Sequence, residues 1–266
     1  MLYTTKLLDE FYQDTRTYRE KWIDEFRDLA VERLGEAVRG NDYLHLIGKC
    51  RDLHHRYSSE GDAFLALDQN APQAQKSYYL AARAGALCYD LRRAGFPYYQ
   101  GKWLDHYDFQ KLNINYSKDG ILANHRELTL AMTGEDTIEG LLVLGRYEEA
   151  QRALPPDPED RRLDDEVDQC KWAIAYGDQK AFDKYLQRRI GVLRRQGRHN
   201  PCILDSWGLA LVRLAHQRGM TCKVKVLELP WELLEDVPAE TAGLILPWEK
   251  EVREIIQQKK EGCITI

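Results

Sequence analysis

Asp164-Asp165-Glu166-Val167-Asp168 is the stretch whose residue types come closest to chemistry. Carboxylates one helical turn apart offer the hard oxygen ligands that Mg²⁺ takes, and an Asp-Asp-x-x-Asp spacing can hold that metal against a diphosphate. The companions of such a site are missing: Arg161-Arg162 precedes the acids instead of following them, and no second acidic metal motif comes downstream. A solvated first helical turn, where carboxylates favour the positive end of the helix dipole, accounts for the run. His54-His55, with Cys50 one turn earlier and His45 beyond it, offers the nitrogen and sulfur donors of a zinc site. No partner group elsewhere has a recognisable metal spacing, so an exposed or partly packed histidine pair is expected. There is no Gly-x-Ser-x-Gly elbow, and Gly48-Lys49 lacks the rest of a Walker loop. The expectation is a protein without catalytic residues, metal or cofactor, and not an enzyme.

Charge points elsewhere. Lys180, Lys184, Arg188, Arg189, Arg194, Arg195 and Arg198 form a basic run that could face phosphates. If the helices meeting at Gly177 are antiparallel, the acids at 164–168 return alongside Arg188-Arg189, and the two runs compensate each other. The tetrapeptide Leu-Pro-Trp-Glu occurs twice, at 229–232 and 246–249, and each copy reads as a helix start with Pro in the first turn. A tryptophan there either staples its helix to the core or anchors a partner. The surroundings favour looking for a partner: residues 228–254 carry a net charge of -6, with acids at Glu228, Glu232, Glu235, Asp236, Glu240, Glu249, Glu251 and Glu254 against Lys250 and Arg253. Glu228, Trp231, Glu232, Glu235, Asp236, Trp248 and Glu249 are therefore the candidate partner-binding residues.

The elements that must position these residues are helical. Large apolar residues recur three and four apart through most of the chain, and strand alternation is confined to a short run near 223–227. One long helix or two joined end to end are predicted over Leu7–Val38, closed by Gly40-Asn41-Asp42. A second helix carries Leu44–Tyr57, and an Ala-rich third opens at Pro72 and ends at Gly95-Phe96-Pro97. Helices follow around Trp103–Ile114 and Ile121–Met132. Two helical hairpins turn at Gly145 and Gly177, and a further helix spans Leu204–Arg218. The expected fold is all-α, a multi-helix array of antiparallel hairpins that is repeat-like in its second half. It forms a single helical domain over 1–266, with 133–137 as the place where it would subdivide.

Composition agrees with a globular chain: 266 residues, 44% apolar, 30% charged and a net charge of -5. A strongly basic nucleic-acid binder is excluded on charge. No apolar run approaches the roughly 18 residues of a membrane span. The N-terminal residues meet charge before an apolar signal segment could form, and the six cysteines include no Cys-x-x-Cys pair. Cytoplasmic residence follows as the expectation, with no membrane and no nucleic acid as partner. The tail Cys263-Ile264-Thr265-Ile266 has Thr265 where a prenylation box needs an aliphatic residue.

Ile138-Glu139-Gly140-Leu141-Leu142-Val143-Leu144-Gly145-Arg146, Trp172-Ala173-Ile174-Ala175-Tyr176-Gly177-Asp178, Asp205-Ser206-Trp207-Gly208-Leu209-Ala210-Leu211 through Gly219, and Leu229-Pro230-Trp231-Glu232-Leu233-Leu234 together resemble the immunity protein 49 family. The resemblance covers roughly residues 138–236. It implies a predominantly helical antidote, encoded beside a toxin of a bacterial polymorphic-toxin system, that neutralises its cognate toxin domain by direct occlusion. It carries no residue-level motif. A basic nuclease as the toxin would be drawn to an acidic strip. The other classes to weigh are a helical-repeat adaptor with no toxin partner and an Mg²⁺-dependent all-α isoprenoid-type enzyme using Asp164, Asp165 and Asp168.

Overall fold

A computed structural model describes residues 24–98, 117–163, 165–196, 204–235 and 243–266. The helix expected around Trp103–Ile114, the N-terminal part of the long first helix, Asp164 and Asp236 lie outside them. The described chain is all-α. Its helices are α1 (Asp24–Arg39), α2 (Leu46–Ala66), α3 (Ala71–Arg93), α4 (Ser117–Leu122), α5 (Arg126–Thr133), α6 (Ile138–Val143), α7 (Tyr147–Ala153), α8 (Glu166–Tyr176), α9 (Gln179–Gln196), α10 (Ser206–Gln217) and α11 (Glu249–Lys260). A single 3₁₀ turn, Trp231–Leu233, precedes the last of these.

Local signals explain several boundaries. Asn70 caps α3 by accepting from the Gln73 N–H, with Pro72 in the first turn as expected. Gly177 closes α8 in the left-handed region at φ 70°, which a side chain would strain. The predicted helix over Ile121–Met132 is two helices, because Asn124 turns left-handed at φ 55° and His125 caps α5 by accepting from the Leu128 N–H. Where a strand at 223–227 was an option, the described chain has none, since no second strand lies beside it to complete a ladder. Its polar groups go to side chains instead: the Lys223 N–H donates to Asp183, and the Val224 carbonyl accepts from the Trp231 indole.

Burial gathers into two apolar clusters. One is built from α4 and α6–α10 and centred on Trp172, Phe182, Tyr185, Leu209 and Leu211. The other is built from α1, α2, α5 and α11 around Leu34, Ile47, Leu53, Leu87 and Ile256. Helix α3 serves both, giving Tyr78 and Tyr79 to the first and Leu87, Cys88 and Leu91 to the second. Chain order does not follow the clusters: α4 belongs to the first, Met132 of α5 to the second, Leu141 of α6 to the first and α11 to the second again. Helices α2 and α3 approach closely at Gly61, where an added Cβ would sit 2.6 Å from the Tyr78 ring. None of the described helices is long and apolar enough to cross a membrane.

Candidate functional site

The described acids of the Asp-Asp-x-x-Asp run are engaged within α8 or across the α8/α9 hairpin. Asp165 caps α8, its Oδ1 accepting from the Val167 and Asp168 N–H groups at 2.8 and 3.0 Å. Asp168 pairs with Lys171 at 3.0 Å, and Glu166 meets Arg188 at 3.1 Å across the α8/α9 hairpin. That last contact is the compensation expected from an antiparallel pair, although Arg189 turns instead to Asp205 in a two-point pair at 2.7 Å. Among the described residues no group of three or more His, Cys, Asp or Glu is placed to hold a metal ion. Asp165→Ala is accordingly expected to cost about 1 kcal/mol of stability through loss of the cap. Thermal melts of wild type and variant should respond identically to millimolar Mg²⁺ and to chelator.

The histidine pair departs from expectation. His54 is buried and bonds Asp119 on α4, Nε2 to Oδ2 at 2.8 Å, while His55 stays at the surface. Asp119, fully buried, also accepts from Ser58 Oγ at 2.9 Å and from Lys118 Nζ at 3.1 Å. One turn on, Asp62 accepts from the Tyr78 and Ser206 hydroxyls at 2.8 and 2.6 Å. A polar seam thus runs along α2 through His54, Ser58 and Asp62, tying it to α3, α4 and α10. The spacing of four was readable in the sequence, but the partners were not. Ser58 and His54 both bond the aspartate and not each other, so the seam is no nucleophile-base pair. The buried thiols are equally inert: burial pushes Cys50 up to about 12 and holds Cys88 and Cys170 well above the ordinary thiol.

The candidate partner-binding residues separate sharply. Glu228 is buried and takes a two-point pair from Arg194 at 2.6 and 2.9 Å. Glu249 is buried at the start of α11 and takes another from Arg83 at 2.7 and 2.6 Å. Neither carboxylate can face a partner; each serves as the counter-charge of a partly buried arginine. Trp248 is half-buried against α1, in room left by Gly35, where a Cβ would lie 2.5 Å from the indole, and beneath Arg39 at 4.9 Å. It is a core staple. The acidic run therefore does not form one continuous strip, because its two Leu-Pro-Trp-Glu copies join different clusters.

Two members, Glu232 and Glu235, remain at the surface of the second-half cluster, beside Trp231, which is buried in it. Glu232 and Glu235 are exposed, the first 3.6 Å from Lys225 and the second 3.5 Å from His216. Trp231 is 9% exposed, packs edge-on to His216 at 5.2 Å between ring centres, and forms one wall of a groove of about 470 Å³. Arg213, Met220 and Leu234 also line the groove, and Glu235 stands at it as well. Sequence reasoning missed Arg213 and His216, which look like ordinary polar positions on an amphipathic helix.

Fold and groove together define an all-α, multi-helix protein with a concave, Trp-walled surface feature in its C-terminal half. Compared with known proteins, the chain matches no family model, no curated protein and no solved structure.

Proposed function

We propose that the chain is an immunity-type antidote that acts in the cytoplasm by binding a cognate toxin domain and occluding it, without catalysis of its own. The observation that carries this reading is where the segments of the family resemblance lie. Leu141 and Leu142, Trp172 and Ile174, Leu209 and Leu211, and Leu229, Trp231 and Leu234 belong to one apolar cluster. Four segments dispersed over about a hundred residues of sequence thus contribute to one cluster, which they share with residues of α3 and α4 such as Tyr78 and Ile121. On that unit the exposed Glu232 and Glu235, with the groove-lining edge of Trp231, are the partner-facing residues of this reading. An aromatic wall flanked by exposed acids suits a basic protein surface, such as the substrate cleft of a nuclease, with the acids contributing mainly to association rate and partner choice.

The test is a pull-down of the full chain against the product of the adjacent gene, which should encode a secreted protein with a toxic C-terminal domain. Charge reversal at Glu232 and Glu235 together should weaken that complex and flatten its salt dependence while leaving the melting temperature nearly unchanged. Unaltered affinity and salt slope would remove these acids from the interface. Capture of a host protein in place of the adjacent gene product would point to an adaptor.

A further inference from the structure

Arg83, Arg189 and Arg194 are each partly buried, and each meets a buried carboxylate in a two-point ion pair. Arg213 on α10 does not. Its Nη1 donates to the carbonyls of Ile121 and Leu122 at the end of α4, and its Nη2 to the carbonyl of Leu234 at 3.0 Å. Among the described residues it pairs with no carboxylate, and burial alone pulls the guanidinium down to about 10. Capping a helix end explains the carbonyl contacts. It leaves a full positive charge that meets no carboxylate among the described residues, at a groove large enough for a small organic molecule.

The remaining walls decide what kind of anion fits. Trp231, Leu234, Met220 and Val212 supply apolar surface beside the guanidinium. The guanidinium edge not taken by those carbonyls, the Nε–H with the second Nη2–H, matches a singly charged, planar carboxylate in two-point geometry. Glu235, next to His216 at the groove, repels any anion there, and the apolar walls give the outer oxygens of a phosphate no donor in exchange for lost water. We infer that this groove is a binding site for a carboxylate-bearing ligand with an apolar body, the carboxylate pairing with Arg213 and the body lying along Trp231 and Leu234. The inference shares Trp231 and Glu235 with the antidote reading, but it is argued from Arg213 and stands if that reading fails. Its carboxylate could belong to a small organic acid or to an acidic side chain of a partner protein.

Trp231 makes the test direct, since its indole lines the groove. Titration of the full chain with sodium hexanoate should give a saturable change in tryptophan fluorescence, while neutral hexanol and inorganic phosphate give none. Trp231→Phe should abolish the signal. Arg213→Gln should weaken binding at least tenfold, and Glu235→Gln, which removes the repelling charge, should strengthen it several-fold. Should Arg213→Gln fail to fold by circular dichroism, Glu235→Gln decides, because a purely structural groove has no reason to bind an acid more tightly there. A signal retained in Trp231→Phe, affinity unchanged in Glu235→Gln, equal response to hexanol or phosphate, or no saturable response to hexanoate would each overturn the assignment. A blocked peptide, acetyl-Leu-Glu-Leu-amide, separates the sources: tighter binding than hexanoate supports a protein side chain in the groove, weaker binding a free organic acid. Loss of toxin binding with hexanoate binding intact would count against the antidote reading alone.

Discussion

Glu249→Ala is expected to destabilise the protein by about 3–5 kcal/mol, the cost of leaving a partly buried arginine without its buried partner. The Glu249 carboxylate accepts from Arg83 at 2.7 and 2.6 Å, from Arg253 at 3.0 Å and from the Leu246 N–H at 3.2 Å. Arg83 lies on α3 and Glu249 on α11, so the pair fastens the last helix to the first-half core. Urea denaturation should show a lower midpoint with an unchanged slope if the loss is one of native stability. The double variant Arg83→Met, Glu249→Met should recover much of it, because an apolar pair of similar volume carries no desolvation penalty. Burial works to raise the acid's pKa, but the hydrogen bonds from Arg83 and Arg253 outweigh it and hold Glu249 below the ordinary range. Its stabilisation is therefore present above the unfolded-state value of about 4.3 and lost as pH falls through the lower native one. The gap between wild type and Glu249→Ala should accordingly narrow on acidification below about pH 4.

Asp119→Ala is expected to cost a comparable amount, about 3–5 kcal/mol, because it deprives buried groups of a shared acceptor and Lys118 of its counter-charge. Asp119→Asn should recover part of the loss, since it keeps one acceptor oxygen. Burial pushes Asp119 up, yet the Lys118 charge and the His54 contact prevail and place it at about 2. On the histidine side, burial lowers His54, while partial loss of water around the solvent-facing His55, with the neighbouring His54 and Arg51, lowers it to about 4. Below the unfolded-state value of about 6.5 the unfolded chain takes up protons that these native histidines refuse, so stability falls with pH. Acid unfolding should begin with a limb below pH 6.5 owed mainly to His54, because solvent screens the exposed His55. A second limb, below about pH 4, belongs to Asp119 and Glu249. His54→Gln should remove most of the upper limb while leaving the lower one. An upper limb of unchanged size in that variant would show that His54 is not its source.

Among the described residues, most helices and the hairpin turns were legible in the amino-acid order, because each depends on residues within a few positions of one another. Gly177, Asn70-x-Pro72 and the apolar spacing of α8–α10 act locally. The break at Asn124-His125 was missed because the apolar pattern runs straight through it. The site was less legible. Glu228 and Glu232 are four apart in sequence and nearly alike in local context, yet one is buried against Arg194 and the other exposed. Only the fold brings up an arginine 34 positions away. The same holds for Glu249 with Arg83 and for His54 with Asp119.

Periodicity and turn chemistry by themselves determined that this is an all-α chain of short hairpins, with acids set in the first turn of α8 for helix capping. Tertiary structure alone decided which of its acids are counter-ions inside the protein and which face solvent. It also decided which tryptophan is a staple and which a groove wall, and that Arg213 has no acid to meet among the described residues. The reason is range: propensity and capping energies act within a turn or two, whereas burial of a charge depends on which distant helix arrives to neutralise it.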